Sequence, residues 1–351
     1  MEELCGMPGV RLLRSYAISQ SLFPQTSLKI AIRKLGFIQA DPIRSPARAQ
    51  DLILRHRVKG YRAGDLERRY SSLDIEEDLL YAYGFLPRNI WQLLHPRNLR
   101  GISRLEKKVL ETVGKFGVMH PAELQEHFAT TRVVNAWGGY SKATTQALEH
   151  LHYRGLLRIA RRENGIRLYE PVRWSNETMS VEERLRKLVM LIANILAPVS
   201  ERILLTNTAR FRYLGNPRPI LHELLKSGDL ESEVIDGVHY VWPRSARVVA
   251  APRTVRFLAP FDPLVWDRRR FEHLWGWPYR FEAYTPAKKR LRGYYAMPLL
   301  WCDDVVGWAN ARAEGKQLKV EVGFVRKRPG DLDFTSELES EIGRLKTFLG
   351  L

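Results

Sequence analysis

The chain has 351 residues, of which 45% are hydrophobic and 27% charged, so the sequence predicts two to four folded domains with ordinary solvated surfaces. Its 56 Lys and Arg against 39 Asp and Glu give a formal net charge of +17, which favours a polyanionic partner, nucleic acid before a membrane. The two cysteines, Cys5 and Cys302, are too few for a disulfide framework or a cysteine-based metal site. The sequence has no apolar run of membrane length and no hydrophobic secretion signal, so it predicts a cytosolic protein and not a membrane protein.

The first predicted domain, residues 1–98, contains three helical patterns. They cover Val10–Gln20, Leu28–Leu35 and Pro46–Val58. The second pattern is the clearest, because its apolar residues recur at helical spacing, Thr26 or Ser27 can cap it and Gly36 can end it.

Between the last two helices, Phe37–Pro42 alternates apolar and polar residues as an extended strand does. Pro42 keeps Asp41 out of the helical region, and side chains two positions apart on a strand face the same way, so Gln39 and Asp41 are predicted to point together. A carboxylate beside an amide can hold one water against a bond in an anionic polymer. In the alternative, Asp41 caps the turn at Ser45–Pro46 and Gln39 lies on the surface, and the residues taken alone favour this structural role.

The second predicted domain, residues 99–175, has the clearest pattern of elements. Three helices are expected, one ending at Gly117, one from Pro121 to Phe128 and one from Ser141 to Gly155. Two strands follow, Leu156–Ala160 and Ile166–Glu170, joined by Asn164-Gly165, a strong hairpin signal. Three helices followed by a hairpin predict a winged helix, a variant of the helix-turn-helix.

The same order recurs in the third predicted domain, residues 176–250. Its helices are expected at Val181–Leu196, Ser200–Asn207 and Pro217–Lys226, and its strands at Leu230–Val234 and Val238–Trp242. Residues 251–351 differ, because they are rich in aromatic residues and in short strand-like runs such as Leu291–Leu300 and Leu318–Val325. The predicted fold is therefore α+β, with tandem winged helices followed by a C-terminal β-rich domain.

Two groups of basic residues are candidates for binding DNA phosphates. The first lies in and before the third helix of residues 1–98, and the second at the start of the third middle helix and in its wing. Any one of these charges is more often part of a solvated face, but together with the net charge they favour a surface that follows phosphates. They are Arg44, Arg48, Arg55 and Arg57, and Lys142, Arg161 and Arg162.

Two segments resemble the AlkZ-like winged-helix DNA glycosylases, and within that family the YcaQ (AlkX) branch of crosslink-repair enzymes. Gln39-Ala40-Asp41, with Leu35–Ile38 before it and Ala47-Arg48-Ala49 after it, resembles the catalytic Gln–apolar–Asp motif. The longer and more specific match runs through Ala259–Arg270, Tyr279–Arg290 and Gly293-Tyr294-Tyr295.

The resemblance implies a monofunctional DNA glycosylase that hydrolyses the N-glycosidic bond of N7-alkylated purines and, in this branch, unhooks interstrand crosslinks. Asp41 would stabilise the oxocarbenium-like sugar and accept a proton from water, and Gln39 would orient that water. Arg268, Arg269 and Arg270 either grip phosphates or pair with Asp262 and Asp267 to hold the C-terminal domain, and both interpretations stay open. No metal or cofactor is expected. The expected partner of the monomeric, cytoplasmic and nucleoid-associated protein is double-stranded DNA with alkylated or crosslinked bases.

The chain departs from the family pattern at Tyr81–Arg88, where the resemblance implies a His-Glu-Ala element. One alternative is therefore a family member without activity. Another is a non-catalytic winged-helix regulator or structural DNA binder, which would typically be a dimer that reads two half-sites.

Overall fold

The structure, a computed structural model, describes residues 9–97, 101–134, 139–174, 179–244 and 248–351. Helices and antiparallel strands alternate through these ranges, and the predicted α+β class is confirmed. The helices are α1 (Gly9–Ser21), α2 (Leu28–Leu35), α3 (Ala49–Leu54), α4 (Asp65–Arg68), α5 (Arg88–Leu94), α6 (Arg104–Phe116), α7 (Pro121–Glu126), α8 (Ala143–Tyr153), α9 (Val181–Ile195), α10 (Glu201–Thr208), α11 (Pro217–Lys226), α12 (Pro263–Trp266), α13 (Arg268–Trp275) and α14 (Leu332–Leu349).

The strands form three sheets and two separate pairs within the described ranges. The sheets have the orders β1-β3-β2, β8-β10-β9 and β11-β12-β13-β14, and the pairs are β4-β5 and β6-β7. The strands are β1 (Ile38–Gln39), β2 (Ile75–Leu79), β3 (Tyr83–Pro87), β4 (Arg132–Val134), β5 (Tyr140–Lys142), β6 (Leu157–Glu163), β7 (Ile166–Pro171), β8 (Val199–Ser200), β9 (Leu230–Ile235), β10 (Val238–Pro243), β11 (Val255–Phe257), β12 (Met297–Trp301), β13 (Asp304–Glu314) and β14 (Gln317–Phe324).

Helix α2 has the bounds that the sequence predicts. The Ser27 side chain accepts a hydrogen bond from the backbone N–H of Ile30, and Gly36 ends the helix in the left-handed conformation with φ of 69°. Because glycine has no Cβ, it adopts this conformation at little cost. The chain therefore leaves α2 at a defined angle and enters β1 two residues later.

The predicted helix Pro46–Val58 is wrong at both ends. Helix α3 begins at Ala49, because the backbone of Arg48 is extended, with φ of −67° and ψ of 153°, and precedes the helix as its cap. The helix ends at Leu54, and Thr26 then forms an isolated parallel bridge with Val58. This bridge ties the residues after α3 to those before α2.

Residues 104–171 follow the predicted order of three helices and a hairpin, with one additional element. Asn164 and Gly165 turn β6 into β7 with φ of 50° and 83°, as a tight hairpin requires. Strands β4 and β5, which the sequence analysis did not identify, pair Arg132 with Lys142. Helix α8 consequently begins at Ala143, two residues after the predicted start.

The C-terminal residues contain a four-stranded sheet and also a helix of 18 residues, α14, which the sequence analysis missed. Phe334, Leu345 and Phe348 of α14 are buried at helical spacing. Glu341 of the same helix accepts a hydrogen bond of 2.9 Å from the backbone N–H of Phe257 in β11. This helix packs against the edge strand of the sheet.

Three buried apolar clusters hold these elements together, and each joins distant parts of the sequence. The first contains Leu52, Leu148 and Phe334, and the second contains Phe37 and Leu188. The third cluster joins α1 to α13 and to the C-terminal sheet. The division into four domains remains a prediction. Within the described ranges, no helix combines the length and apolar character that crossing a bilayer requires.

Candidate active site and nucleic-acid interface

Strand β1 places Gln39 at the edge of a small sheet. It pairs antiparallel with β3, so that Ile38 lies opposite Phe85 and Gln39 lies opposite Gly84. A Cβ added at Gly84 would stand 2.2 Å from the carbonyl oxygen of Ile38. The close approach of β1 to β3 therefore requires glycine at this position.

The two residues before Gln39 anchor β1 on both faces. Ile38 belongs to the first apolar cluster and Phe37 to the second, where the ring of Tyr81 lies 4.8 Å from its ring. Because successive side chains of a strand point to opposite faces, β1 packs against the first cluster on one face and against the second cluster on the other. The position of the Gln39 backbone is thus fixed by packing on either side.

Gln39 and Asp41 are half-buried and carry polar atoms that the surrounding protein does not satisfy. Oε1 of Gln39 is buried and accepts no hydrogen bond from the described residues. Oδ1 of Asp41 accepts a hydrogen bond of 2.9 Å from the backbone N–H of Ile43, which lies before the predicted turn at Ser45–Pro46. No ion pair to Asp41 forms within the described part of the chain. Burial raises the pKa of the Asp41 carboxyl, and the Ile43 N–H opposes that rise.

The charge of Asp41 acts on the pKa values of two tyrosines of the C-terminal residues. Burial raises the pKa of both Tyr295 and Tyr284, and the Asp41 carboxylate raises both further. The side chain of Tyr295 is buried, and its hydroxyl has no hydrogen-bond partner among the described residues. Its ring stands edge-on to Phe281, with the ring centroids 5.3 Å apart. Sequence reasoning quoted Gly293-Tyr294-Tyr295 as part of the family match but assigned Tyr295 no role.

Strand β2, on the other side of β3, carries three consecutive buried carboxylates with cationic partners. Glu76 binds Arg88 and Arg158 at 2.9 and 2.8 Å. Asp78 binds the imidazole of His95 at 2.6 Å and Arg97 at 2.8 Å. Hydrogen bonding to His95 and the charge of Arg97 lower the pKa of Asp78 despite its burial.

The remaining carboxylate of β2, Glu77, forms an ion pair with one of the arginines predicted to bind DNA. Nε of Arg162 donates a 2.7 Å hydrogen bond to Oε1 of Glu77, and the Arg162 side chain is 19% exposed. The hydroxyl of Tyr83 donates to the same carboxylate at 3.0 Å. The prediction that Arg162 binds phosphate is wrong for this conformation, because its guanidinium fastens β6 to β2.

Three other arginines predicted to bind DNA are buried structural residues, and those predictions are wrong. Arg57 is fully buried and forms a bidentate pair with Asp262 at 2.8 and 3.0 Å. Arg55 pairs with the buried Glu341 of α14. Arg270 donates to the backbone carbonyls of Leu196 and Pro263. A buried charge must be paired or hydrogen-bonded, and these side chains meet that demand by joining distant segments.

The remaining predicted cations divide into half-buried and exposed groups. Arg48 is partly buried and pairs with Glu67, and Arg268 donates to Pro260 at 2.9 Å while its guanidinium lies over the ring of Tyr279. Arg44, Lys142, Arg161 and Arg269 are exposed. Of these, Arg161 pairs with Glu163 at 2.7 Å, and Arg269 borders a surface cavity of about 910 Å³ beside Arg202, Arg212 and Arg218.

The run Trp266–Arg270 is divided between capping, packing and surface roles. The Asp267 side chain accepts hydrogen bonds from the backbone N–H groups of Arg269 and Arg270 and so caps α13. Trp266 packs against Tyr81, with the ring centroids 4.7 Å apart. Asp262, which one of the two open interpretations paired with an arginine of this run, pairs with Arg57.

Tyr81–Arg88, where a His-Glu-Ala element was expected, forms the turn into β3 and the strand itself. Tyr81 is buried between Phe37 and Trp266, and the guanidinium of Arg167 lies 4.6 Å from the ring centroid of Tyr83. These tyrosines therefore serve the packing and ion-pair network behind β1.

Comparison with protein families identifies one relationship that spans nearly the whole chain. The family model described as "DNA glycosylase AlkZ-like" matches residues 32–348. The matched range begins within α2, at Ile32, and includes the Gln39–Asp41 segment together with Tyr284 and Tyr295.

Proposed function

The chain belongs to the AlkZ-like DNA glycosylase family, and from this premise we propose that it hydrolyses the N-glycosidic bond of N7-alkylated purines in double-stranded DNA. The observation that carries this proposal is a buried amide oxygen on β1 without a partner in the described protein, followed two residues later by a carboxylate that binds no cation there. These groups belong to Gln39 and Asp41. Polar groups left unsatisfied in a folded protein are commonly reserved for a ligand or for chemistry.

The proposed chemistry needs few groups, because an N7-alkylguanine is cationic and leaves as a neutral base. The enzyme must steady the positive charge that develops on the sugar and deliver water to its anomeric carbon. The Asp41 carboxylate stabilises that charge and accepts a proton from the water. The Gln39 amide, which can accept and donate hydrogen bonds, fixes the orientation of the water.

The Tyr81–Arg88 segment bears on whether the chain can act without the expected His-Glu-Ala element. A cationic leaving group needs no general acid, and the buried Tyr81 instead supports Phe37 directly behind the motif. This arrangement favours an active enzyme over an inactive family member. With no lysine between Phe37 and Pro42 to form a Schiff base, the proposed enzyme is monofunctional and leaves an abasic site.

The proposed architecture is three tandem winged helices that bind one duplex as a monomer. Its support is the order of three helices followed by an antiparallel strand pair at residues 104–171 and again at residues 181–243. The exposed cations Arg44, Lys142 and Arg161 provide candidate phosphate contacts along these units. Unhooking of interstrand crosslinks and action in the cytoplasm, at the nucleoid, extend the same proposal.

One assay tests the function. Wild-type protein is incubated without metal or nucleotide with one duplex containing N7-methylguanine and another containing a nitrogen-mustard crosslink. Hot alkali then converts abasic sites into strand breaks, which are resolved on a denaturing gel. We expect breaks after alkali but not before it, and none with Asp41→Asn. Failure of the wild-type protein to release base from either duplex would overturn the proposal.

A further inference from the structure

The loop between α13 and β12 exposes large apolar side chains beside the candidate active site. We call residues 282–294 the tyrosine loop. Tyr284 and Leu291 are each 79% exposed, and Tyr294 is 42% exposed. Large apolar side chains cost free energy in water, so a group of them on one loop points to a partner that covers them.

The tyrosine loop is held in one conformation by hydrogen bonds at its base. The buried Glu282 carboxylate accepts hydrogen bonds of 2.9 and 2.8 Å from the backbone N–H groups of Leu291 and Arg292. Nε of Arg290 donates a 2.7 Å hydrogen bond to the carbonyl of Thr285 and so braces the middle of the loop. The exposed side chains are therefore presented by a braced backbone, which reduces the conformational entropy lost on binding.

Cations surround the apolar side chains of the loop. Lys288 and Lys289 are exposed at its far end, and the guanidinium of Arg290 lies 5.0 Å from the ring centroid of Tyr294. An apolar tip with a basic border matches a partner that has an anionic exterior and an apolar, stackable interior. The DNA duplex has this construction, with phosphates outside and stacked bases inside.

The position of the loop relative to β1 favours DNA over an acidic protein as the partner. Ala40, between Gln39 and Asp41, packs against the first apolar cluster, which contains Tyr295 and against which Phe281 also packs. The ring of Phe281 contacts those of both Tyr295 and Tyr284. Whatever the loop touches must therefore lie beside the groups assigned to sugar chemistry. A damaged nucleotide must leave the base stack to reach such groups, and apolar side chains that enter the stack stabilise the opened state.

We propose that the tyrosine loop is a preformed wedge in which Leu291 and Tyr284 enter the base stack beside the damaged nucleotide and hold the duplex open there. This inference rests on the proposed function and assigns it a DNA-opening element. Lys288 and Lys289 contact the flanking phosphates and set the register of the wedge. The wedge residues take no part in breaking the glycosidic bond.

The test measures opening of the duplex without any cleavage. A duplex carries a tetrahydrofuran abasic analogue with 2-aminopurine, whose fluorescence rises on unstacking, as the neighbouring base. We expect wild-type protein to raise the fluorescence, and Leu291→Ala and Tyr284→Ala each to abolish most of the rise and weaken binding about tenfold, as loss of one stacking contact predicts. The salt dependence of binding should stay unchanged in both variants, because neither residue neutralises a phosphate.

Two matched controls separate wedging from other effects. Leu332→Ala removes an equally bulky leucine that is 92% exposed and lies outside the loop, so it should behave as wild type. Lys288→Ala should lower the salt slope by about 0.9 and retain the fluorescence rise. Wild-type fluorescence with both Leu291→Ala and Tyr284→Ala would overturn the wedge. Because no bond is cleaved, this result is distinguishable from failure of the proposed glycosylase activity.

Discussion

Strands β1 and β2 flank β3 in one sheet, yet the carboxylates on and after these strands differ in whether they bind cationic side chains. Each carboxylate of β2 binds at least one arginine or histidine, and these pairs tie β2 to α5, β6 and Arg97. On and after β1, Gln39 keeps a buried oxygen without a protein partner and Asp41 binds one backbone N–H. The contrast shows that this fold supplies partners where carboxylates have a structural role. Glu76 of β2 also keeps one buried oxygen, Oε2, without a partner in the described protein, but two arginines bind its other oxygen. The motif on and after β1 is therefore distinguished by having no cationic partner there.

The largest expected effect is on catalysis at β1. Asp41→Asn preserves size and removes the charge, so the single-turnover rate of base release should fall by about 10³-fold, within the range for loss of a general base. Affinity for a duplex with an abasic analogue and the melting temperature should change little, since no ion pair is lost. Excision near the wild-type rate would return Asp41 to a structural role.

The reverse pattern is expected on β2. Glu77→Ala removes a buried carboxylate and leaves Arg162 without its partner, so the free energy of unfolding should fall by about 3 kcal/mol. Excision per folded molecule should remain. Urea unfolding monitored by tryptophan fluorescence measures the first quantity, and active-site-normalised rates measure the second. A stable but inactive Glu77→Ala protein would break the proposed distinction between the two strands.

A third expected effect concerns Tyr295, whose hydroxyl is buried without a partner in the described protein. If that hydroxyl helps to position the water, Tyr295→Phe should slow excision about tenfold at unchanged affinity, as loss of one hydrogen bond predicts. Because the change also removes an unsatisfied buried polar group, the melting temperature should hold or rise. Tyr279→Phe is the matched control, since the Tyr279 hydroxyl donates at 2.7 Å to the carbonyl of Ala296. That variant should lose stability and retain its rate.

A smaller effect separates exposed from buried arginines in DNA binding. Arg44→Ala should lower the slope of log affinity against log salt by about 0.9, as loss of one phosphate contact predicts. Arg55→Ala should leave the slope unchanged, because Arg55 is buried against Glu341. Fluorescence anisotropy titrations between low and moderate salt measure both slopes. Equal slopes for wild type and Arg44→Ala would remove Arg44 from the DNA path.

The smallest expected effect is a shift, toward higher pH, of the acidic limb in the pH dependence of the base-release rate. Burial raises the pKa of Asp41 above 3.8, the ordinary value of an aspartate in water, and a general base must be deprotonated to act. The rate of base release should therefore fall on acidification with a midpoint above 3.8. Single-turnover rates across this range locate the midpoint, and Asp41→Asn should lack this limb. A wild-type midpoint at or below 3.8 would contradict the assignment.

The sequence predicted elements whose signals are local. Helix α2 and the Asn164-Gly165 turn follow from caps and left-handed positions within a few residues, and both match the structure. Helix α14 carried a comparable signal in Phe334, Leu345 and Phe348, but the aromatic-rich residues before it led to the prediction of a β-rich domain in which this helix was not identified. The start of α8 was missed because Tyr140–Lys142 pair with Arg132–Val134 as β5, a pairing between separated segments that delays the helix to Ala143.

In the candidate site, too, the residues predicted from the sequence are those with a local signal, and the ones missed depend on long-range contacts. Gln39 and Asp41 could be selected from a short pattern together with a family resemblance. The burial and pairing of the arginines could not be predicted, because Arg57 and Arg162 bind carboxylates that lie 205 and 85 residues away in the sequence. A basic residue reads the same in sequence whether it faces a phosphate or a buried aspartate. Tyr295 was missed because the Asp41 charge that raises its pKa belongs to a residue far away in the sequence.

The bidentate pair of Arg57 with Asp262 has a consequence for the timing of activity during synthesis. It is fully buried and joins the residues after α3 to the segment that leads into α12. During translation, Gln39 and Asp41 leave the ribosome long before Asp262, Tyr284 and Tyr295 have been made. A growing chain therefore carries the Gln39–Asp41 segment without the residues that complete its surroundings, and the nascent polypeptide should remain inert toward DNA until its last third has emerged.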